Sequence, residues 1–375
     1  MDIPKIFSVD DHVLEPPHVW QERLPRHLRD RGPQLISNKD EEYWVFDGER
    51  VKPQGAEACA GRDPKDFTMG TVRRDEMRPG FYDPVARLED MDTDGVWAQV
   101  LFPSGVPRIC GKRFIDAPDH DFGLACIQVW NDWIVEEWCD AAPDRYVPLA
   151  IVPMWDAQLC AEEVRRMAAK GTRGITFSEG PHLLGFPSIH DEYWDPLWEA
   201  LSETGLVACL HIGSSGQSLE PQPGGPVAPS IVMLPMYAGV AASELMFSPI
   251  FAKWPKLHFV MSEGGIGWVP YVLERAEYTW ERHRFWTGAE DAPHPLDIFR
   301  KHISVCFIED SSGIEQRDRI GVDNIMVEID YPHTDSSWPH SREKLSLHLK
   351  DCTQDEIDRI VYENAARVFN FPVEF

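Results

Sequence analysis

Eight short apolar runs recur along this chain with helical stretches between them, and that alternation restricts the architecture more than any other feature. The runs are 5–13 (KIFSVDDHV), 96–104 (VWAQVLFPS), 146–154 (YVPLAIVPM), 172–178 (TRGITFS), 206–214 (LVACLHIGS), 257–265 (LHFVMSEGG), 303–310 (ISVCFIED) and 325–333 (IMVEIDYPH). Each is apolar almost throughout, the pattern of a parallel strand covered on both faces rather than a half-exposed antiparallel one. The intervals read as helices. In 157–171 (AQLCAEEVRRMAAKG) Leu159, Val164 and Met167 fall on one face and Gly171 supplies a stop. Similar stripes run through 192–205, closing at Gly205, and 270–284, and Thr353 is placed to cap a C-terminal helix. Strands alternating with helices predict an α/β fold, a (β/α)8 TIM barrel; an open doubly wound sheet shares the strand count and stays open as the alternative.

A barrel of this kind needs about 250 residues, and the chain has 375. The excess collects in two places. Residues 34–85 follow the first strand and contain EYWVFDGERV, a hairpin turning at Asp47-Gly48. Residues 215–235 follow the fifth strand and are rich in Gly and Pro. Both insertions belong at the C-terminal ends of strands, where loops act as caps or lids over active sites. With no internal repeat beyond the β/α unit, residues 1–375 read as one domain.

Charge narrows the partners. Lys and Arg number 36 against 62 Asp and Glu, a net charge of −26. Such a chain repels phosphate backbones and anionic bilayers, so neither nucleic acid nor membrane is expected. No apolar run reaches the ~18 residues a bilayer requires. The opening MDIPKIFSVDD lacks a basic segment followed by an apolar one. Eight cysteines lie scattered, Cys126, Cys209 and Cys306 among them in apolar runs, as free thiols in a reducing compartment do. The expectation is a soluble cytoplasmic protein.

Chemistry collects at the ends of the apolar runs. The first ends in Asp10-Asp11-His12, the fifth carries His211, the sixth Glu263, and the eighth Asp330 with His333 just beyond. In a parallel barrel these ends converge on one rim. Asp10 and His12, two apart on a strand, share a face, and Asp11 points to the other. A carboxylate and an imidazole side by side in an apolar barrel call for a balancing cation. A plain Asp10–His12 hydrogen bond and a packed core histidine at 211 are the rival readings, but four strand ends bearing metal-type groups outweigh them together. The tryptophans at 20, 133, 198, 268 and 338 read as packing. No glycine-rich phosphate loop follows any strand, so no nucleotide cofactor is expected. The loop PSGVPRICGKR after the second strand contains Arg108, a candidate contact for an anionic substrate.

Five segments in order, SVDDHVLEP, ACLHIG, FVMSEGG, DYPHTDSSWP and ENAARVFNF, make the chain resemble the amidohydrolase superfamily, in its branch of aminocarboxymuconate-semialdehyde decarboxylase and resorcylate-type decarboxylases. The resemblance implies a barrel holding one or two divalent metals at its C-terminal rim. It places the first-strand ligands at Asp10 and His12, the fifth-strand ligand at His211 and the eighth-strand aspartate at Asp330. Those decarboxylases carry histidine where this chain has Glu263, and His333 is not general among them.

The expected activity is therefore a metal-dependent lyase or hydrolase, by decarboxylation or hydrolysis of a small carboxylated molecule, using zinc or manganese. Glu263, Asp330 and His211 are the candidate catalytic groups, and Asp10, His12, His211, Glu263, Asp330 and His333 the candidate ligands. Six such donors also suffice for two metals. An O2-dependent hydroxylase with a dinuclear iron or manganese/iron centre is the alternative. The resemblance further implies a homo-oligomer, dimer or larger, with a hetero-oligomer left open.

Overall fold

The computed structural model describes residues 2–51 and 55–373. All eight apolar runs form strands: β1 (Ile6–Val13), β5 (Val96–Pro103), β6 (Tyr146–Ile151), β7 (Gly174–Ser178), β8 (Val207–His211), β9 (Phe259–Ser262), β10 (Ile303–Phe307) and β11 (Ile325–Val327). They make one sheet in the order β1-β5-β6-β7-β8-β9-β10-β11, with parallel pairing throughout. Beyond the regular ladders the last strand returns to the first. The Asp330 amide donates to the Asp10 carbonyl (2.9 Å) and the His12 amide to the Tyr331 carbonyl (2.7 Å). The Ile329 amide adds a bond to Ser8 Oγ (2.9 Å). The sheet is thereby closed into the expected TIM barrel.

Strand faces follow from alternation. Phe7, Val9, Ala98, Val100, Phe102, Val147, Leu149, Cys209, Val260, Cys306 and Met326 belong to one buried cluster, with Phe369 and Phe371 of the C-terminal segment packed into it. The alternate residues face a larger cluster shared with the surrounding helices. The ladder between β1 and β5 shifts register twice, between Ile6 and Phe7 and again between Ser8 and Asp11. Phe7 is opposite Ala98 and His12 is opposite Phe102, so five steps on β1 match four on β5, with the shift between Ser8 and Asp11. This extra residue is a β-bulge, and it reverses the parity of the strand. Odd residues face inward below it; above it Asp10 and His12 do, in place of Asp11.

The helices begin and end for local reasons. Ala157–Ala169 starts where Asp156 accepts from the Gln158 and Leu159 amides, and Gly171 follows at φ +96°. Asp195–Thr204 closes on Gly205 in the left-handed region, which glycine enters without a Cβ clash. Thr353 caps Gln354–Asp358 with a reciprocal bond from Glu356.

The hairpin expected at Asp47-Gly48 is present: β3 (Glu42–Phe46) pairs antiparallel with β4 (Glu49–Val51). Both turn residues have positive φ, 49° and 81°, as a tight two-residue hairpin demands. The sequence did not suggest the third strand, β2 (Gln34–Ser37), which completes this small sheet.

Two expectations need correction. Strand β11 stops at Val327, so Asp330 stands three positions past its end rather than within it. And one helical stretch of 19 residues, Ala228–Met246, is apolar and long enough to cross a bilayer by length and composition, with a mean hydropathy of 1.2. Pro229, Ser230 and Pro235 break it as an uninterrupted apolar run, which is why the sequence concealed it. Its second half lies against the barrel with Ala238, Ala241, Ala242, Leu245 and Met246 buried.

Candidate metal centre

Two strands and the segments after two others deliver the site. Bulge parity turns Asp10 and His12 inward on β1 and His211 is two residues past inward-facing Cys209 on β8, while Glu263 follows the end of β9 and Asp330 the end of β11. His12 Nε2 lies 3.3 Å from Asp10 Oδ1 and 3.3 Å from Asp330 Oδ1. His211 Nε2 lies 3.2 Å from Asp10 Oδ2 and 3.3 Å from His12 Nε2. Glu263 reaches the cluster through His211, Oε2 to Nε2 at 3.4 Å. His333 Nδ1 is 3.0 Å from Asp330 Oδ1, and its ring stacks on His12 with centroids 3.7 Å apart. All six residues singled out from the sequence are therefore brought together.

Two groups have ligand atoms spaced for a cation: Asp10, His12 and His211, and His12, Asp330 and His333. The decisive observation is unsatisfied charge. Asp10, His12, His211 and Asp330 are fully buried, yet among the described residues neither oxygen of Asp10 or of Asp330 accepts a well-aimed hydrogen bond. Buried carboxylates left this way are costly unless a cation takes the lone pairs. Protonation equilibria carry the same signature. Burial and the negative Asp10 push Asp330 well above the carboxylate range, and burial and Asp330 do the same to Glu263. Burial opposes charge on His211, but Asp10 prevails and raises it to about 10, while Asp10 is held at about 2. A proton on His211 balances Asp10 where a divalent ion would do so better. The donor set, two carboxylates and two imidazoles with a third of each alongside, fits a divalent metal.

Supporting groups hold these side chains. His211 Nδ1 bonds the Ile212 carbonyl (2.7 Å), leaving Nε2 for the cluster. Glu263 and Asp330 both have positive φ, 57° and 53°, an unfavourable state for residues with side chains. Each is pinned by its amide: Glu263 N to Glu328 Oε2 (2.9 Å), and Asp330 N to the Asp10 carbonyl (2.9 Å). Asp11, facing away from the cluster, accepts from the Tyr331 amide (3.1 Å). Fully buried Arg87 donates to the His12 carbonyl (2.7 Å), Gln99 Oε1 (3.0 Å) and the Gly80 carbonyl. Ser104 Oγ meets His333 Nε2 at 3.1 Å.

Glu328, Arg87 and Ser104 went unnoticed in the sequence. For Glu328 the signal was there, because it lies two before Asp330 and so shares its face.

The cluster opens into a cavity of about 630 Å3 lined by Glu263, Glu328 and His333 together with Cys59, Arg62 and Trp338. The 34–85 insertion thus forms a wall, whereas the 215–235 insertion contributes Pro235. Trp338, read as packing, lines this cavity instead; its indole is anchored to the Asp90 carbonyl (2.9 Å).

The chain is similar to several known proteins. A 2-amino-3-carboxymuconate-6-semialdehyde decarboxylase from Dictyostelium discoideum is 27% identical over 205 residues, covering 54% of this chain and 53% of that protein. The chain thus matches about half the length of this curated relative. Among solved structures, an amidohydrolase from Mycobacterium avium subsp. paratuberculosis superposes with a TM-score of 0.76 at 20% identity, over 98% of this chain and 100% of the other. A dihydroxybenzoic acid decarboxylase from Polaromonas sp. JS666, with bound manganese and the inhibitor 2-nitroresorcinol, gives 0.63 at 16% identity, over 98% and 97%. At such identities the structural likeness establishes the barrel. The amidohydrolase family profile matches residues 47–371, nearly the whole chain, and the chain is an enzyme belonging to that family.

Proposed function

We propose that this enzyme is a metal-dependent lyase or hydrolase of small carboxylated molecules, and that its reaction is non-oxidative decarboxylation. The observation that carries the reading is the pair of unsatisfied carboxylates, Asp10 and Asp330, meeting His12 and His211 at the base of a substrate-sized cavity. The named relatives support it, two being decarboxylases and one of these holding manganese. Manganese or zinc is the proposed ion.

Asp10, His12, His211 and Asp330 would hold the metal, which when bound polarises a substrate oxygen beside the carbon that reacts. Glu263, its carboxyl raised well above the ordinary range by burial and its acidic neighbours, is placed to donate. As the bond to the carboxylate breaks, its electron pair stays on the substrate carbon, that carbon takes the Glu263 proton, and carbon dioxide leaves. Hydrolysis would use the same groups with Glu263 as the base toward water.

The alternative of an O2-dependent hydroxylase keeps one observation, the second triad of His12, Asp330 and His333, but the relatives named above lend it no support. Metal analysis of the anaerobically purified enzyme decides, followed by carbon dioxide release from aromatic and unsaturated acids under nitrogen. One manganese or zinc per chain with oxygen-independent release is expected. Two metals including iron, with turnover only in oxygen, would sink the proposal.

Residence in the cytoplasm is part of the same proposal, supported by eight free cysteines. So is a homo-oligomer, supported by exposed Ile231, Val232, Met233 and Val240; light scattering on the purified protein tests it.

A further inference from the structure

A second recess, of about 390 Å3, opens between the loop that follows β5 and the loop that follows β8. Its walls carry Arg108, Lys112 and Arg113 with one acid, Asp116, and two glycines, Gly213 and Gly216. Three cations gathered in one concavity are out of keeping with a chain whose net charge is −26. Two of them are matched: Arg108 Nη1 meets Glu57 Oε1 at 2.5 Å and Lys112 Nζ meets Asp116 Oδ2 at 2.5 Å. Arg113 is not. Its Nε donates to the Val106 carbonyl (2.7 Å), and among the described residues its two terminal nitrogens have neither an acceptor nor an ion-pair partner. Burial and then the neighbouring Arg108 charge disfavour the Arg113 cation, against the nearby Glu57, Glu15 and Asp116 carboxylates that favour it, and its terminal nitrogens stay open to an anion.

The recess is built rather than incidental. Arg108 has φ 64° and Cys110 φ 63°, with Gly111 at 72°, a strained path for two residues with side chains. Packing enforces it: a Cβ on Gly111 would come within 2.3 Å of Ile151 Cγ2, and the Gly111 amide bonds the Arg108 carbonyl (2.9 Å). Across the recess, the Lys112 Cε lies 3.5 Å from where a Cβ on Gly216 would sit, so the lysine stem spans to the other loop. Gly213 stands two residues beyond His211, which puts the recess beside the metal centre but outside the larger cavity.

We propose that this recess binds an oxyanion, the carboxylate or phosphate group of a small molecule, with Arg113 as its principal donor and Lys112 and Arg108 as supporting charges. A planar guanidinium with two uncommitted terminal nitrogens offers the paired donors that carboxylate and phosphate oxygens accept. The site does not depend on which reaction the metal centre performs.

The test is direct binding to the enzyme as purified with its resident metal, by calorimetry in chloride buffer, with inorganic phosphate and phthalate as separate probes. Saturable binding of either probe is expected, weakened about tenfold or more in Arg113→Gln and also weakened in Lys112→Gln, with metal content unchanged. Lys112→Gln, at a partly exposed position, serves if Arg113→Gln fails to fold. Phosphate alone, phthalate alone, or both would each support the site and identify its anion. Absence of saturable binding by both probes overturns the inference, and so does binding that the variants leave intact, because the anion would then sit elsewhere. Turnover is not part of the readout, so failure here and failure of the decarboxylase reading remain distinguishable.

Discussion

The Asp330 amide donates to the carbonyl of Asp10 at 2.9 Å, so the two carboxylates with unsatisfied oxygens are tied to each other through their own backbones. The seam that closes the barrel and the proposed metal centre are thus one piece of structure. An ion bound between these side chains would hold the segment after the last strand against the first.

Removing the ion should therefore be felt along the seam. A ligand that binds only the folded state stabilises it by about 4 kcal/mol at a thousandfold excess over its dissociation constant. Chelator treatment is expected to lower the unfolding temperature and to release the His12 and Asp330 amides to hydrogen exchange before those of β6 and β7. Unchanged exchange at the seam would show that the ion plays no part in closure.

Glu263→Gln separates two roles for that side chain. As proton donor its loss should lower turnover about 10²–10⁴-fold with the metal content of the wild type retained. Mass spectrometry of metals beside a steady-state assay reads both quantities, and a fall in metal content would instead make Glu263 a ligand.

Arg87 supports the site from behind. Arg87→Met strands the carbonyls of Gly80 and His12 and the Gln99 amide oxygen, and each buried group left unpaired costs about 1–3 kcal/mol. Urea unfolding should show a loss of at least about 3 kcal/mol, with metal affinity down about 10–100-fold as expected for groups that orient ligands. Arg87→Lys, keeping charge without the fork, should fall between.

Glu15 makes stability depend on pH. Its carboxyl is buried, one oxygen bonded to the Val106 amide (2.8 Å) and the other without a partner; burial lifts it from an ordinary value of 4.5 to about 8. The folded protein then binds more protons than the unfolded chain between those values. Its contribution is whole below pH 4.5 and is lost as pH rises through 8. The wild type should lose more thermal stability between pH 5 and pH 9 than Glu15→Gln does. Parallel melting curves for the two proteins would refute the assignment.

The strands were legible because a run buried on both faces is apolar wherever it sits, whatever its neighbours. Their ends were less so: residues 328–333 continue the apolar pattern but leave the ladder to serve the site. Asp10, His12, His211, Glu263, Asp330 and His333 stood out as polar groups interrupting apolar runs. Arg87 could not, since from helix Pro84–Asp94 it reads as one more charged helix residue, and only the fold directs it inward. In the second recess Arg108 was marked as an anion contact, whereas Lys112 and Arg113 of the short helix Lys112–Ile115 were not, and the recess exists only once Gly213 and Gly216 of a distant loop come to face them.

The sequence showed Asp10 and His12 on one face of β1, yet which face could be learned only from the register with β5. Phe7 and Val9 instruct the strand in odd positions, Asp10 and His12 in even ones, and a single additional residue reconciles them. The two halves are in this sense separate modules joined at a frame boundary. Substitutions in the packing half leave the reading of the upper half untouched, whereas an insertion or deletion of one residue at the boundary would exchange Asp10 and His12 for Asp11 without altering the hydrophobic pattern beneath. Length, more than composition, is what this strand must conserve.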